Sequence, residues 1–425
     1  MEKKIKVLIA SFIGNKVEKF EYSSRKSCLW RLRKKGFYAL LHLLGLTVLP
    51  VVKSEEYSDR TGKLTIKDIR QDRTGYTSNV IFNTNDEPQV LIPTKLPDLN
   101  LMTFKNVHIH GDSDLVIDIE NKCVVNDKYF NLNKRYTVFD GVLYRMRKNV
   151  SILRDRLKKT DKVLQSGIVI SGKFSKNYYH EVYENLIKLL VIREIDIPSD
   201  TPIIVDDVVR KIDSFGKILD YLTEGLGRDV VYIGDRELYY VHVLYYITPI
   251  NIVTAHLRDR KVVVKEDYVY DDYYIKQLRK SLLPKASTHQ FPSKIFISRV
   301  NVTKRSFNEE DVLGVIKEYG FELVCPETMT FEEQISLFSN ADWIIGGSGA
   351  AFSNLVFCKP GCKVLCIVDS VKYGFPIFST LSYLSDCKMV YYGNEDDKAG
   401  KADVHSDFMV DTEKFIKVFK CLETK

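Results

Sequence analysis

The chain has 425 residues, of which 45% are hydrophobic and 28% charged, and its formal net charge is +7. Such a length calls for two or three domains, and such a balance excludes disordered and fibrous chains. The positive excess gathers into no stripe along the folded part, which excludes a dedicated nucleic-acid binder and suits an anionic small ligand or a phospholipid surface.

The 8 cysteines lack the paired spacing of a disulfide framework. The opening Met1-Glu2-Lys3-Lys4-Ile5 lacks the charged-then-apolar layout of a signal peptide. Together these features lead us to expect a reducing, cytoplasmic setting, in which the sequons at Asn149 and Asn301 are chance matches.

Residues 1–165 form an N-terminal region. No acidic residue occurs from Arg25 to Lys53, and Arg25, Lys26, Arg31, Arg33, Lys34 and Lys35 lead into Phe37-Tyr38-Ala39-Leu40-Leu41-His42-Leu43-Leu44. That run is shorter than the roughly 20 apolar residues a spanning helix needs. Segment 25–52 fits either a helix lying on an anionic membrane surface or a buried helix whose basic end is solvated. Residues 60–150 read as short strands broken by turn residues.

Strands and helices then alternate. Over 166–285, residues 168–170, 201–205, 230–233 and 240–247 read as strands, and 178–193, 212–222 and 273–283 as helices. Residues 283–292, with Pro284 and Pro292 and little apolar content, read as a linker. Over 293–395, strand 294–297 precedes a helix over 308–319 that stops at Gly320, and 321–324 is a strand. Thr330 with Glu333 makes a capping box for a helix running to residue 340. Strand 342–345 ends in Gly346-Gly347-Ser348-Gly349-Ala350, a short helix carries Asn354, and 363–368 is a further strand. Residues 396–425 add a closing segment and a helix. Repeated β-α-β units with apolar strands mean parallel sheets covered on both faces. The expected fold class is therefore α/β, with a β-rich N-terminal region and two Rossmann-like domains, 166–285 and 293–395, facing a cleft.

Three groups of residues carry chemistry. The glycine turn lies where an α/β sheet places its ligands, and a helix N-terminus there offers N–H donors to a phosphate. The same turn also serves to close a tight β-α connection. Arg299 and Arg305 follow the first strand of the same unit and suit bidentate binding of a diphosphate, or else a solvated loop. In Asn177-Tyr178-Tyr179-His180-Glu181-Val182-Tyr183-Glu184, His180 and Glu184 stand four apart on one helix face. That spacing suits a general base with an orienting carboxylate, or a structural histidine. Cys358, Cys362 and Cys366 are evenly spaced, but without a CxxC knuckle or a nearby histidine they read as small buried hydrophobes. Asp112-Ser113-Asp114 reads as a turn, and no essential metal is expected.

In order along the chain, Arg299 and Arg305, Asn308-Glu309, Gly320-Phe321, Pro326-Glu327, Glu333-Gln334 and Gly347-Ser348-Gly349-Ala350 with Asn354 resemble the ordered motifs of the family 61 glycosyltransferases. The group Asn177/His180/Glu184 is similar to an Asn-x-x-His-x-x-x-acid segment of that family, and residues 405–411 (HSDFMVD) to its closing segment. The likeness spans roughly 100–425. It implies a GT-B fold and inversion at the anomeric carbon without a metal or other cofactor. The implied donor is a UDP-sugar such as UDP-xylose or UDP-N-acetylglucosamine. Under it, Arg299, Arg305 and the turn of Gly347, Ser348, Gly349 and Ala350 would hold the diphosphate, with Asn308, Glu327, Gln334 and Asn354 in the donor pocket. His180 or Glu184 would deprotonate the acceptor hydroxyl, beside Asn177 and Tyr178. Ser348 departs from the pattern, since many members carry histidine there, so neutralisation would rest more on the arginines. The expected setting is bacterial capsular or other surface polysaccharide synthesis on a saccharide acceptor, lipid-linked, at the inner face of the cell membrane. The alternative is a non-catalytic nucleotide- or glycan-binding component of an assembly complex.

Overall fold

The computed structural model describes residues 13, 16, 28–83, 87–128, 136–139, 141–154, 160–254, 265–302, 305–370, 375–394 and 407–424. The C-terminal part is a five-stranded, wholly parallel sheet. Its order is Glu322–Val324, Lys294–Ile297, Trp343–Gly347, Lys363–Ser370, Lys388–Asn394. Apart from the edge strand Glu322–Val324, these strands are apolar on both faces because helices cover both. Phe296, Ile345 and Leu365 face the helices Glu309–Ile316 and Thr412–Glu423 through Val312, Ile316, Phe415 and Phe419. One residue along each strand, Ile295, Ile344 and Val364 face the other way. They pack with Ile335, Phe352 and Leu381 of the helices Phe331–Asn340, Ala350–Phe357 and Pro376–Leu384. Thr330 and Glu333 form the expected reciprocal capping box.

The strand order reverses beside Lys294–Ile297. The chain leaves that strand for one face of the sheet and leaves Trp343–Gly347 for the other. Between them lies the crevice in which open α/β sheets bind their ligands. Ser298-Arg299 and the glycine turn are the residues that border it.

Most of the remaining strands form one eleven-stranded mixed sheet, and two small two-stranded sheets stand apart from it. Val163–Val169 pairs in parallel with Ile203–Asp206 and Leu238–Ile247, and Ile203–Asp206 with Val230–Ile233. Leu238–Ile247 then runs antiparallel to Leu99–His110, which continues the sheet into the β-rich N-terminal strands. The β-rich region and the parallel strands after residue 162 thus share a single sheet rather than two.

The two sheets are joined by packed side chains. Tyr179 and Tyr183 of the second sheet's first helical segment share a core with Phe352 and Phe378 of the C-terminal part. Burial of each such ring contributes about 1.5–3 kcal/mol. The hairpin Thr74–Ser78/Leu91–Lys95 reaches across as well, and Ser78 Oγ lies 2.6 Å from Ser379 Oγ.

The basic N-terminal segment is not one helix to residue 52. The helix Cys28–Leu43 ends at Gly45, which takes the left-handed conformation (φ 80°), and Thr47–Val52 is a strand paired with Val150–Leu153. Leu41 packs on Val150 and Ile152, while Leu40, Leu43 and Leu44 are 50%, 70% and 62% exposed. Among the described residues no helix is long and apolar enough to cross a membrane.

Candidate active site

Arg299 sits one residue past Ser298 at the carboxyl edge of Lys294–Ile297. The first-turn Glu309 fixes this loop, its carboxylate accepting from Ser298 Oγ (2.6 Å) and from the Arg299 N–H (2.7 Å). Arg305 follows in a left-handed backbone conformation (φ 59°). Both guanidinium groups point at the turn, and each donates through Nη1 to the carbonyl oxygen of Ser348, at 3.1 and 3.0 Å. Burial pushes both guanidinium pKa values down, and for Arg299 the neighbouring Arg305 charge adds to the effect. Both stay protonated at neutral pH. Arg305 Nε is buried without a hydrogen-bond partner. Beside it opens a small pocket lined by Gly347, Ser348, Val368, Asp369, Phe375 and Phe408.

The turn is glycine-rich because Arg299 lies against it. A Cβ on Gly347 would come within 2.6 Å of Arg299 Cδ and 2.7 Å of Phe307, and one on Gly349 would collide with the Arg299 Nη1. Small residues are therefore what lets a guanidinium tuck beneath a strand end. Two guanidinium groups converging on one carbonyl form a donor-rich edge of the kind that suits a phosphate.

The second component is the helix that starts at Tyr178. Asn177 caps it, its side-chain oxygen accepting from the Tyr179 and His180 N–H groups at 3.0 and 3.4 Å. The helix then widens into a π turn, Glu181–Asn185, before a 3₁₀ turn Leu186–Lys188. Such single π turns recur at functional sites. Asn251 Nδ2 donates to the carbonyl of Tyr183 within it, at 2.9 Å. His180 Nδ1 lies 2.5 Å from Glu184 Oε1, and Lys128 Nζ lies 2.9 Å from Glu184 Oε2 and 3.1 Å from Asp114 Oδ2. A carboxylate on Nδ1 sets the tautomer in which Nε2 carries the lone pair, the form a general base needs.

Beneath this chain lies a layer of buried ionisable groups. Burial pushes the Glu181 carboxyl well above its usual range, although Asn185 donates to it at 2.7 Å. Burial also pushes Lys188 down to about 8 and Asp206 up to about 7. Asp206 accepts from the Asp112 N–H and from Ser171 Oγ, both at 2.8 Å, which opposes the rise.

Residues 169–365, a span that holds His180, both arginines and the glycine turn, match the family model described as Glycosyltransferase 61. The chain carries a glycosyltransferase domain. No curated protein matches the chain.

In this glycosyltransferase the His180 helix and the glycine-turn helix are directly bonded. Tyr178 Oη donates to Asn354 Oδ1 at 2.7 Å, Asn354 Nδ2 donates to Gln334 Oε1 at 3.0 Å, and Tyr183 Oη donates to the Ser353 carbonyl at 2.6 Å. Asn354 and Gln334 thus meet each other and Tyr178 in a buried bridge. Asn308 is directed elsewhere and pairs with the backbone of Val410, accepting at 2.8 Å and donating at 3.2 Å. Glu327 accepts from Asn301 Nδ2 at 2.9 Å. Ala350 opens the 3₁₀ helix. The Ser348 hydroxyl faces the Cys366 thiol, so at this residue it is the carbonyl that meets the arginines. His405, in the closing segment, lies outside the described residues. Asp407 accepts from the Ser306 N–H at 2.8 Å, next to Arg305.

Asp112 occupies a turn with φ 59°, as the sequence suggests, yet Asp114 two residues on is buried against Lys128. Lys128, Asp114, Asp206, Glu181 and Lys188 were not singled out from the sequence as site residues. Only their charge inside apolar surroundings could have marked Glu181 and Lys188.

Proposed function

We propose that this glycosyltransferase is an inverting, metal-independent enzyme of the GT-B kind. On this reading it moves a sugar from a nucleotide diphosphate donor, UDP foremost, to a saccharide hydroxyl. The observation that carries the proposal is the Tyr178–Asn354 bond, because it ties the helix bearing His180 to the helix that opens from the glycine turn. A base on one and an anion site on the other are what a single displacement requires.

The donor diphosphate would lie against Arg299, Arg305 and the N–H groups that follow Ser348, with the buried Arg305 Nε aimed at it. His180 Nε2 would take the acceptor proton as the acceptor oxygen attacks the anomeric carbon. The bond from that carbon to the diphosphate oxygen breaks, and its electron pair leaves with the nucleotide. Two arginines supply the charge that a bound divalent ion supplies in other transferases, which supports metal independence. Asn354 and Gln334 act here as positioning residues, and Asn308 holds the closing segment over the arginine loop.

The acceptor we favour is lipid-linked and cytoplasmic, as in capsular or other surface polysaccharide synthesis. Exposed Leu40, Leu43 and Leu44 beside the basic segment support contact with an anionic membrane. One assay tests these points together: UDP release from UDP-sugars, with and without brief EDTA treatment, and with and without anionic vesicles. Undiminished release in EDTA and co-sedimentation with the vesicles are expected. A strict requirement for Mg²⁺ or Mn²⁺ would overturn the mechanism, and protein left wholly in the supernatant would overturn the membrane contact.

A further inference from the structure

At the edge of the C-terminal sheet opposite the glycine turn, three buried cysteines come together. Cys358 closes the 3₁₀ helix Ala350–Phe357, Cys362 stands just before Lys363–Ser370, and Cys387 just before Lys388–Asn394. All three are free thiols. Their sulfurs lie within 4.8 Å of one another. The even sequence spacing of Cys358, Cys362 and Cys366 is therefore not the spatial grouping. Cys366 faces Ser348, and Cys387 takes its place.

The backbone holds the three in position. Gly361 adopts φ 84°, which turns Lys359-Pro360-Gly361 back so that Cys358 and Cys362 meet. The Gly361 N–H donates to the Asp386 carbonyl (2.8 Å) and the Lys388 N–H to the Cys362 carbonyl (2.9 Å), so the two cysteine-bearing loops are sewn together. A three-residue gap between the first two falls within the two to four residues usual for thiolate metal knuckles. Sulfurs bound at about 2.3 Å around a tetrahedral ion stand about 3.8 Å apart. The observed cluster needs only small rotamer adjustments to reach that spacing.

We propose that Cys358, Cys362 and Cys387 bind one soft d¹⁰ cation, Zn²⁺ or Cu⁺, as a structural staple. Thiolates select such ions over Mg²⁺, Ca²⁺ and Mn²⁺, which prefer oxygen. Each ligating thiol gives its proton to solvent as the sulfur–metal bond forms. Zn²⁺ wants a fourth ligand, and the carbonyl oxygens of Ser385 and Lys359 stand 3.4 and 3.6 Å from Cys387 Sγ. Cu⁺ is satisfied by three sulfurs. The staple would anchor the far end of the 3₁₀ helix whose near end opens from the glycine turn. It lies at the opposite ends of the strands from the transfer chemistry, so it is independent of the catalytic proposal.

The test uses the reduced full-length protein. Co²⁺ is titrated as an optical probe of the zinc arm, and Cu⁺ is presented from a coloured chelator for the copper arm. The expected result is a thiolate-to-cobalt charge-transfer band saturating at one equivalent, or withdrawal of one equivalent of Cu⁺. Either signal should vanish in Cys387→Ser and persist in Cys421→Ser. Should Cys387→Ser fail to fold, wild-type Tm serves instead and rises by about 3 °C at a hundredfold excess of Zn²⁺ over its Kd. Wild-type protein that gives no cobalt band, no Cu⁺ withdrawal and no Tm rise overturns the proposal. So does metal binding that is unchanged in a folded Cys387→Ser variant.

Discussion

At the glycine turn, Arg299 and Arg305 bring two charges of one sign onto the carbonyl of Ser348, whereas along the helix from Tyr178 the charges alternate. There Glu184 is held between His180 and Lys128, and Lys128 between Glu184 and Asp114. Both regions bury ionisable groups, but only the second is laced by ion pairs between its own side chains. Guanidinium groups aimed at the ligand edge of a sheet suit an anion, so these side chains should govern donor binding. A self-paired chain needs no ligand to hold its geometry, so its side chains should govern proton transfer and stability.

Substitutions can break that contrast, and the largest effect is expected at His180. His180→Ala should lower kcat by about 10²–10⁴, the usual worth of a positioned general base, with little change in donor KM. Equal losses in kcat and donor affinity, read from steady-state kinetics, would mean that the histidine binds the nucleotide instead. Next come the arginines. Arg299→Ala or Arg305→Ala should each cost about 10²–10³ in kcat/KM for the donor, and the cost should shrink for a donor analogue lacking the second phosphate. A loss that ignores the phosphate count would remove them from the anion site.

A smaller effect is expected one step behind the base. Lys128→Met should reduce kcat about tenfold, or roughly 1.4 kcal/mol, through a misdirected Glu184, and Lys128→Arg should restore most of it. A kcat untouched by Lys128→Met would show that Glu184 keeps its place without the ion pair. The gentlest test is pH dependence at Asp206. Its folded pKa is raised to about 7, so the native state holds a proton that the unfolded chain has already lost above about 4. The associated stability is full below about pH 4 and is lost as pH rises through about 7. Wild-type Tm should therefore fall across that window, and Asp206→Asn should flatten the slope. Identical slopes in the two proteins would assign the dependence to other groups.

Much of the C-terminal sheet was legible in the sequence, because local signals and tertiary fold agree there. The inner strands are apolar on both faces, Gly320 stops a helix in the left-handed conformation, and Thr330 with Glu333 caps the next one. The His180–Glu184 pair was legible from its spacing alone, although the turn between them is π rather than α. Nothing in residue order marks that widening, which rests on packing and on Asn251 meeting the Tyr183 carbonyl.

Other features depend on contacts between distant segments. Lys128, Asp114 and Asp206 converge from a loop, a turn and a strand end, and no local pattern links them. Ser348 illustrates the limit most sharply. Its side chain invites comparison with histidine, yet its carbonyl is what the arginines grip. Gln334 and Asn308 similarly look like ligand contacts in the sequence, while in the fold they hold Asn354 and Val410.

The contrast between the two regions is tested most directly by calorimetric titration of UDP into three proteins: wild type, the Arg299→Ala/Arg305→Ala double variant and His180→Ala. The account predicts that UDP binding is lost in the arginine double variant and kept at wild-type affinity in His180→Ala, with sugar transfer falling at least about a hundredfold in both. Retained UDP binding without the arginines, or its loss without His180, would contradict it.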